Sequence, residues 1–160
     1  MVYFGVDVGS SFVKGAVLDL EAARLSSVVR RPFPPPIVAA EPGQFEVELP
    51  AIVDAVREVL SELCAREARP GRGVLFCGQM GGVLLVDRAG NPLTHYLSWR
   101  DQRTLAAHSE ESYLALARRR LGDEFFAQLG RELKPGSATS LLFWLAENGQ
   151  LSQEIGRAHV

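Results

Sequence analysis

The chain has 160 residues, 47% of them apolar and 22% charged, with a formal net charge of −2. That is enough chain for one domain with a sizeable core, or for part of a larger protein, and too little basic field for nucleic acid to be a main partner. Two cysteines, Cys64 and Cys77, are too few for a disulfide scaffold or a cysteine zinc site. They read as buried thiols of a reducing cytosol.

The N-terminal MVYFGVDVG lacks a basic region ahead of an apolar core, so it reads as a strand and not as a signal peptide. No stretch approaches the ~20 apolar residues of a membrane span. A soluble cytoplasmic protein without a membrane partner is the expectation.

In chain order, Val2 to Val8 is β-branched and aromatic, and predicts a buried strand. Phe12 to Leu20 predicts a second strand beyond Gly9-Ser10-Ser11, and Leu25 to Arg31 a third, together an antiparallel meander. RPFPPP at Arg31–Pro36 stops it, because proline cannot donate to a ladder. This segment reads as a rigid surface connection or a polyproline ligand. Pro50 suits a first helical turn. Ile52, Val53, Val56, Val59, Leu60 and Leu63 then recur at helical spacing. Arg69-Pro70-Gly71 is the stop signal.

Val74 to Cys77 is a short apolar run and predicts a central strand. Val83 to Val86 and Tyr96 to Trp99 flank DRAGNPL, whose Gly90-Asn91-Pro92 is turn chemistry. They predict a hairpin-like excursion. Asp101 to His108 and Tyr113 to Leu121 predict two helices, and Phe125 to Leu129 a third short piece. ATSLLFWLAEN predicts a last helix ending at Asn148-Gly149. No internal repeat or composition shift marks a second domain. Strands first, then alternating helix and strand, predict a layered α/β fold with a mixed sheet.

The chemistry gathers first at VDVGSSFVKGAVLDL, Val6 to Leu20. A Gly- and Ser-rich hairpin turn offers backbone N–H groups to phosphate oxygens, and Ser10 and Ser11 add hydroxyl donors. Asp7 is acceptor-only when ionised, so it faces a phosphate only through Mg²⁺ or water on that ion. Lys14 adds positive charge. Asp-x-Gly-Ser-Ser-x-x-Lys thus reads as a metal-phosphate cradle, or as an ordinary hairpin whose turn Asp7 caps. The chain has no G-x-x-x-x-G-K-[ST], no G-x-G-x-x-G and no G-x-S-x-G.

The second motif is CGQMGGVLLVDRAGNPLTHYLSWRDQR, Cys77 to Arg103. Together with the opening turn it resembles the N-terminal region of the FGGY carbohydrate kinases, in particular the xylulokinase-like branch. In that family a D-x-G-[ST]-[ST]-x-x-K hairpin is followed by G-Q-M-H-G, then L-x-D-x-x-G-x-P-L, then W-x-D-x-R. EPGQFEVELP and KPGSATSLLFWLAEN are similar to further segments of the family. One position departs, since Gly81 stands where the family motif has His, and this puts the preferred sugar in doubt.

The resemblance implies a ribonuclease-H-like, actin-type ATPase domain. It implies transfer of the γ-phosphoryl group of Mg-ATP to a hydroxyl of a sugar or polyol, in a cleft between two such domains. By position, Asp7 would organise Mg²⁺, and Gly9, Ser10 and Ser11 would line the phosphates beside Lys14. Gln79, Met80 and Gly81 would stand at the sugar pocket. Trp99 would pack on the sugar, with Asp101 and Arg103 holding that loop. Each also has a plainer reading: Met80 as core filler, Gln79 tying down its loop, Trp99 as a core indole, Asp101 and Arg103 as a local ion pair. Trp144 reads as core, His95 as a surface residue, His108 as a surface residue on a helix, and Arg118–Arg120 as a solvated helix face.

The family's catalytic base is an aspartate well downstream, and no residue after Arg103 matches it. Asp123 in LGDEFF falls at a helix junction and is not promoted to that role. The resemblance therefore implies that residues 1–153 are a partial N-terminal domain and that the second domain is absent. The closing EIGRAHV spells one frame of a widely used sequencing adapter, followed by a stop. Residues 154–160 are accordingly expected to be an adapter-derived tail. The fragment is expected to be inactive by itself and either poorly soluble or dimeric on expression, and the full-length enzyme to form a homodimer. Two other functions stay open: a non-catalytic sugar- or partner-binding module of this fold, and an actin-like ATPase serving assembly or chaperoning.

Overall fold

The computed structural model describes residues 1–38, 41–128, 130, 132–151 and 155–159, the last five by backbone alone. The chain forms two compact units. The first holds Met1–Pro35 and Leu49–Gln79, and the second Pro36–Glu48 and Met80–Val160.

In the first unit the three opening strands form as expected: β1 (Val2–Val8), β2 (Phe12–Asp19) and β3 (Arg24–Pro32). β1 pairs antiparallel with β2, and β2 with β3. Pro32 closes β3 at a sheet edge, where its missing N–H leaves no ladder bond unmade.

The helix α1 (Leu49–Arg66) carries Pro50 in its first turn. It ends three residues before Arg69, which donates to Glu67 and Asp19 instead of continuing the helix. The chain then enters a strand at Gly71–Gly78. That strand pairs in parallel with β1, with Asp7 opposite Cys77.

Period-two alternation sends Val2, Phe4 and Val6 of β1, and Val13 and Val17 of β2, to one face. There they bury against Ala55, Val59 and Leu63 of α1. Full burial of a Val or Leu side chain contributes about 1.5–3 kcal/mol. Gly15 lets helix and sheet approach, since a Cβ there would lie 2.5 Å from Val59 Cγ1.

The sheet order places the Gly71–Gly78 strand at an edge, not at the expected centre. It is exposed along nearly its whole length, with Phe76 60% exposed. Both cysteines, expected to be buried, are exposed: Cys64 on α1 and Cys77 on this strand.

In the second unit the strands are short. β4 (Glu46–Val47) precedes α1 in sequence, so the strand after α1 is β5 (Gly71–Gly78). Then come β6 (Leu84–Asp87) and β7 (Tyr96–Leu97), the expected excursion. Asp87 builds the turn by accepting from the Ala89 and Asn91 amides. Val83 and Leu97 exchange both backbone hydrogen bonds, and β7 pairs with β4.

The helix expected over Asp101 to His108 is absent. A 3-10 turn at Arg103–Leu105 gives way at Ala106 to extended backbone, with ψ 150°. A small hairpin follows, β8 (Ala107–His108) and β9 (Glu111–Ser112), and Ser109 turns it at φ +59°. The Asp101 carboxylate takes the Arg103 amide at the start of the 3-10 turn, and the extended backbone at Ala106 ends it. His108 is therefore a strand residue.

α2 (Tyr113–Gln128) breaks at Gly122, whose φ of +77° and ψ of 158° are not helical. This divides it into the two expected pieces, and Leu129 lies outside the described residues. α3 (Ala138–Glu147) starts on the N-cap Ser137 and ends at Asn148. Val83, Leu85, Leu97, Leu141 and Leu145 form this unit's core. The backbone of β10 (Ile155–His159) pairs with β6. Of the expected tail 154–160, residues 154 and 160 lie outside the described residues, as do residues 152 and 153 before it. Among the described residues no helix is long and apolar enough to cross a membrane.

Candidate functional site

The β1–β2 turn puts Asp7, Gly9, Ser10, Ser11 and Lys14 together in the first unit. Asp7 and Lys14 are register partners, and Lys14 Nζ lies 3.4 Å from Asp7 Oδ2. Both side chains stay about half exposed, so the pair is screened and contributes little to stability. Its value is a carboxylate and an ammonium held beside a polar turn. The Gly9 N–H is not available to a ligand, because it donates to Phe12 O at 3.1 Å. Among the described residues no acceptor takes the Ser10 or Ser11 amide. The amides this turn leaves open are therefore those of Ser10 and Ser11.

Across β1, the Cys77 thiol donates to Asp7 Oδ1 at 3.5 Å. That hydrogen bond, then burial, then the carboxylate's charge, hold the Cys77 pKa above an ordinary thiol's. Cys77 is thus a neutral donor that steadies Asp7. Gln79, one residue past β5, completes this unit's share of the expected site residues.

Met80, Gly81, Trp99, Asp101 and Arg103 lie in the second unit. Met80 is 94% exposed, which removes the core-filler reading, and Trp99 is 46% exposed. Gly81 and Gly82 both have positive φ, +93° and +83°, a conformation that side-chain-bearing residues rarely adopt. The Gly81 carbonyl accepts from Tyr96 Oη. Burial pushes the Tyr96 hydroxyl pKa up, so it stays a protonated donor.

Asp101 is fully buried. Its oxygens accept from the Phe45 amide at 2.7 Å and from the Arg103 amide, Nε and Nη2 at 2.9, 2.9 and 2.8 Å. Arg103 also reaches Glu46 at 2.5 Å and lies over the Trp144 ring, 4.9 Å from its centroid. Burial works to lower the Arg103 pKa, and the hydrogen bonds it donates to Asp101 and Glu46 outweigh it, so the guanidinium stays charged. The Asp101 carboxylate is thus spent on the protein, where it holds the loop that carries Trp99.

Residues 2–157 match the N-terminal domain of the FGGY family of carbohydrate kinases. The chain belongs to that family. A curated relative, the probable L-xylulose kinase of Haemophilus influenzae, is 24% identical over 149 residues, 91% of this chain and 29% of that protein. Two solved structures share the fold. A xylulose kinase from Brucella ovis has a TM-score of 0.80 at 24% identity, covering 99% of this chain and 32% of that one. The ligand-bound xylulose kinase of Lactobacillus acidophilus has a TM-score of 0.76 at 19% identity, covering 98% and 31%. The fold is the actin-like ATPase fold of sugar kinases, α/β with a mixed sheet and present as a partial domain. The chain spans about a third of the length of these relatives.

Sequence reasoning assigned no role to Glu46, the second partner of Arg103. It also missed Gly136, which touches Trp99. The signal for both lay in the EPGQFEVELP and KPGS segments, whose partners are distant in sequence.

Proposed function

We propose that this chain is the N-terminal part of an ATP-dependent carbohydrate kinase. The full protein transfers the γ-phosphoryl group of Mg-ATP to a hydroxyl of a sugar or polyol, with a xylulose-like ketose as the leading substrate. Residues 1–153 are then a partial kinase domain and 154–160 an adapter-derived tail. The exposed Asp7 beside the Ser10-Ser11 turn, in a chain of the FGGY family, carries this reading.

The residues fit magnesium with bound phosphates. Mg²⁺ is commonly held by one or two carboxylates plus substrate oxygens and water, without an all-protein cage. Among the described residues no group of three or more acidic, His or Cys side chains forms such a cage, and one accessible carboxylate suffices. Bound there, the ion neutralises phosphate charge. Asp7 is its anchor, the Ser10 and Ser11 amides and hydroxyls receive phosphate oxygens, and Lys14 offsets their charge.

Phosphoryl transfer needs mostly positioning and charge neutralisation, which these groups supply. On the acceptor side, Trp99 of the second unit offers an apolar face for the C–H side of a sugar, beside Gly81 and Met80, and Gln79 of the first unit is assigned to the same substrate. The base that takes the acceptor's proton belongs to the rest of the protein. The exposed apolar residues of β5 fit a sheet that further chain covers. A cytoplasmic location and a homodimer of the full-length enzyme belong to the same proposal.

The test is Asp7→Ala in the complete reading frame, with D-xylulose and Mg-ATP. Turnover is expected to fall by about 10²-fold or more, as for loss of a charge-stabilising group. Turnover within twofold of the unsubstituted enzyme refutes the reading.

A further inference from the structure

The geometry points to Gly136 as a positioning residue for Trp99: its missing side chain makes the slot in which the Trp99 main chain rests. The functional half of this inference rests on the proposal that Trp99 faces the sugar.

A Cβ on Gly136 would lie 1.8 Å from Trp99 O, 2.3 Å from its carbonyl carbon and 2.7 Å from its Cα. Real Cβ contacts essentially never fall below 3.0 Å. All three opposing atoms are main chain, so no rotamer change relieves the overlap. On another side Gly81 is also close, since a Cβ there would stand 3.2 Å from Trp99 Cβ. The Gly136 carbonyl accepts from the Gly82 amide at 3.1 Å, which ties the two glycine segments together.

The loop that carries Gly136 has no slack. Fully buried Ser140 places its hydroxyl 2.6, 2.7 and 2.9 Å from the carbonyls of Lys134, Pro135 and Ser137. Thr104, also fully buried, donates its hydroxyl to Pro135 O at 3.1 Å. The Ser137 amide closes the turn onto Lys134 O. A methyl on Gly136 therefore moves the Trp99 backbone by more than about 1 Å, a displacement that can cost a binding or reacting geometry about 10²-fold.

The experiment labels the chain with 5-fluorotryptophan, which gives one ¹⁹F resonance each for Trp99 and Trp144, assigned with Trp99→Phe. Gly136→Ala is expected to shift the Trp99 resonance and leave that of Trp144 in place. Gly73→Ala, where a Cβ meets only Tyr3 ring carbons at 3.7 and 3.8 Å, is expected to move neither. General destabilisation lowers the melting temperature without singling out one indole.

Should Gly136→Ala not fold, Ser140→Ala releases the same loop and is expected to broaden or shift the Trp99 signal. A folded Gly136→Ala with an unmoved Trp99 resonance overturns the inference. So does a silent Ser140→Ala where Gly136→Ala does not fold.

A second arm titrates D-xylulose. It is expected to move the Trp99 resonance of the unsubstituted chain, with at least a tenfold higher Kd in the variant. If D-xylulose moves neither resonance, the sugar-contact reading of Trp99 fails, while the positioning of Trp99 is judged by the first arm alone.

Discussion

Replacing Asp101 by alanine removes one carboxylate and breaks four hydrogen bonds. The Phe45 amide loses its acceptor, and Arg103, itself 4% exposed, keeps Glu46 as its one carboxylate partner among the described residues. Breaking a buried ion pair from one side costs about 3–5 kcal/mol, because the surviving charge stays buried. The orphaned amide accounts for about 1–3 kcal/mol when taken alone. The two losses share one site and do not add, so about 3–5 kcal/mol is expected in all. Against a typical stability of about 5–15 kcal/mol, that is a large fraction.

Urea unfolding followed by tryptophan emission is the assay, since Trp144 lies against the Arg103 guanidinium. The double substitution Asp101→Ala, Arg103→Met removes the stranded charge and should be less destabilised than Asp101→Ala. A loss below about 1 kcal/mol for Asp101→Ala would refute the reasoning. So would a double variant no more stable than the single one.

Gly15→Ala should cost about 1–3 kcal/mol, because its Cβ would fall 2.5 and 2.8 Å from Val59 Cγ1 and Leu63 Cδ1; an unchanged thermal melt would show that α1 has room to retreat. Hydrogen bonds from Arg69 hold the Glu67 pKa at about 2 against an ordinary 4.5, and also lower that of Asp19. A depressed carboxylate pKa stabilises the fold above the unfolded value and loses that support as pH falls through the folded one. The melting temperature should thus fall between pH 4.5 and about 2, and Arg69→Gln should flatten that slope; an identical slope in the variant disproves the attribution. Phe76→Lys places a charge on the bare edge strand β5 and should reduce concentration-dependent association in gel filtration. Equal association in both proteins would clear β5 of that role.

What was legible in the sequence depended on how far away the deciding partner lay. β1 to β3 and α1 follow from alternation and helical spacing within each segment, and the break in α2 from one glycine. The helix expected at Asp101 to His108 stops at a 3-10 turn, and the loop is held by the Asp101–Arg103 pair, whose other partner is Glu46. No window around residue 101 contains that partner. Val74-Leu75-Phe76 is apolar on both faces and reads locally as a central strand, yet the described sheet ends there. Local pattern records what a strand is suited to bury, not whether the covering layer is present. At the candidate site the polar turn and the Trp99 loop were legible as motifs, whereas the Gly136 slot exists only through the folded backbone.

The second unit takes its first thirteen residues, 36–48, from between two stretches of the first, so the chain passes from one unit to the other three times. A protease nick at any single passage leaves two covalent tethers intact. The two units cannot be released as separate pieces by one cut, and neither corresponds to a contiguous gene segment that could be expressed by simple truncation.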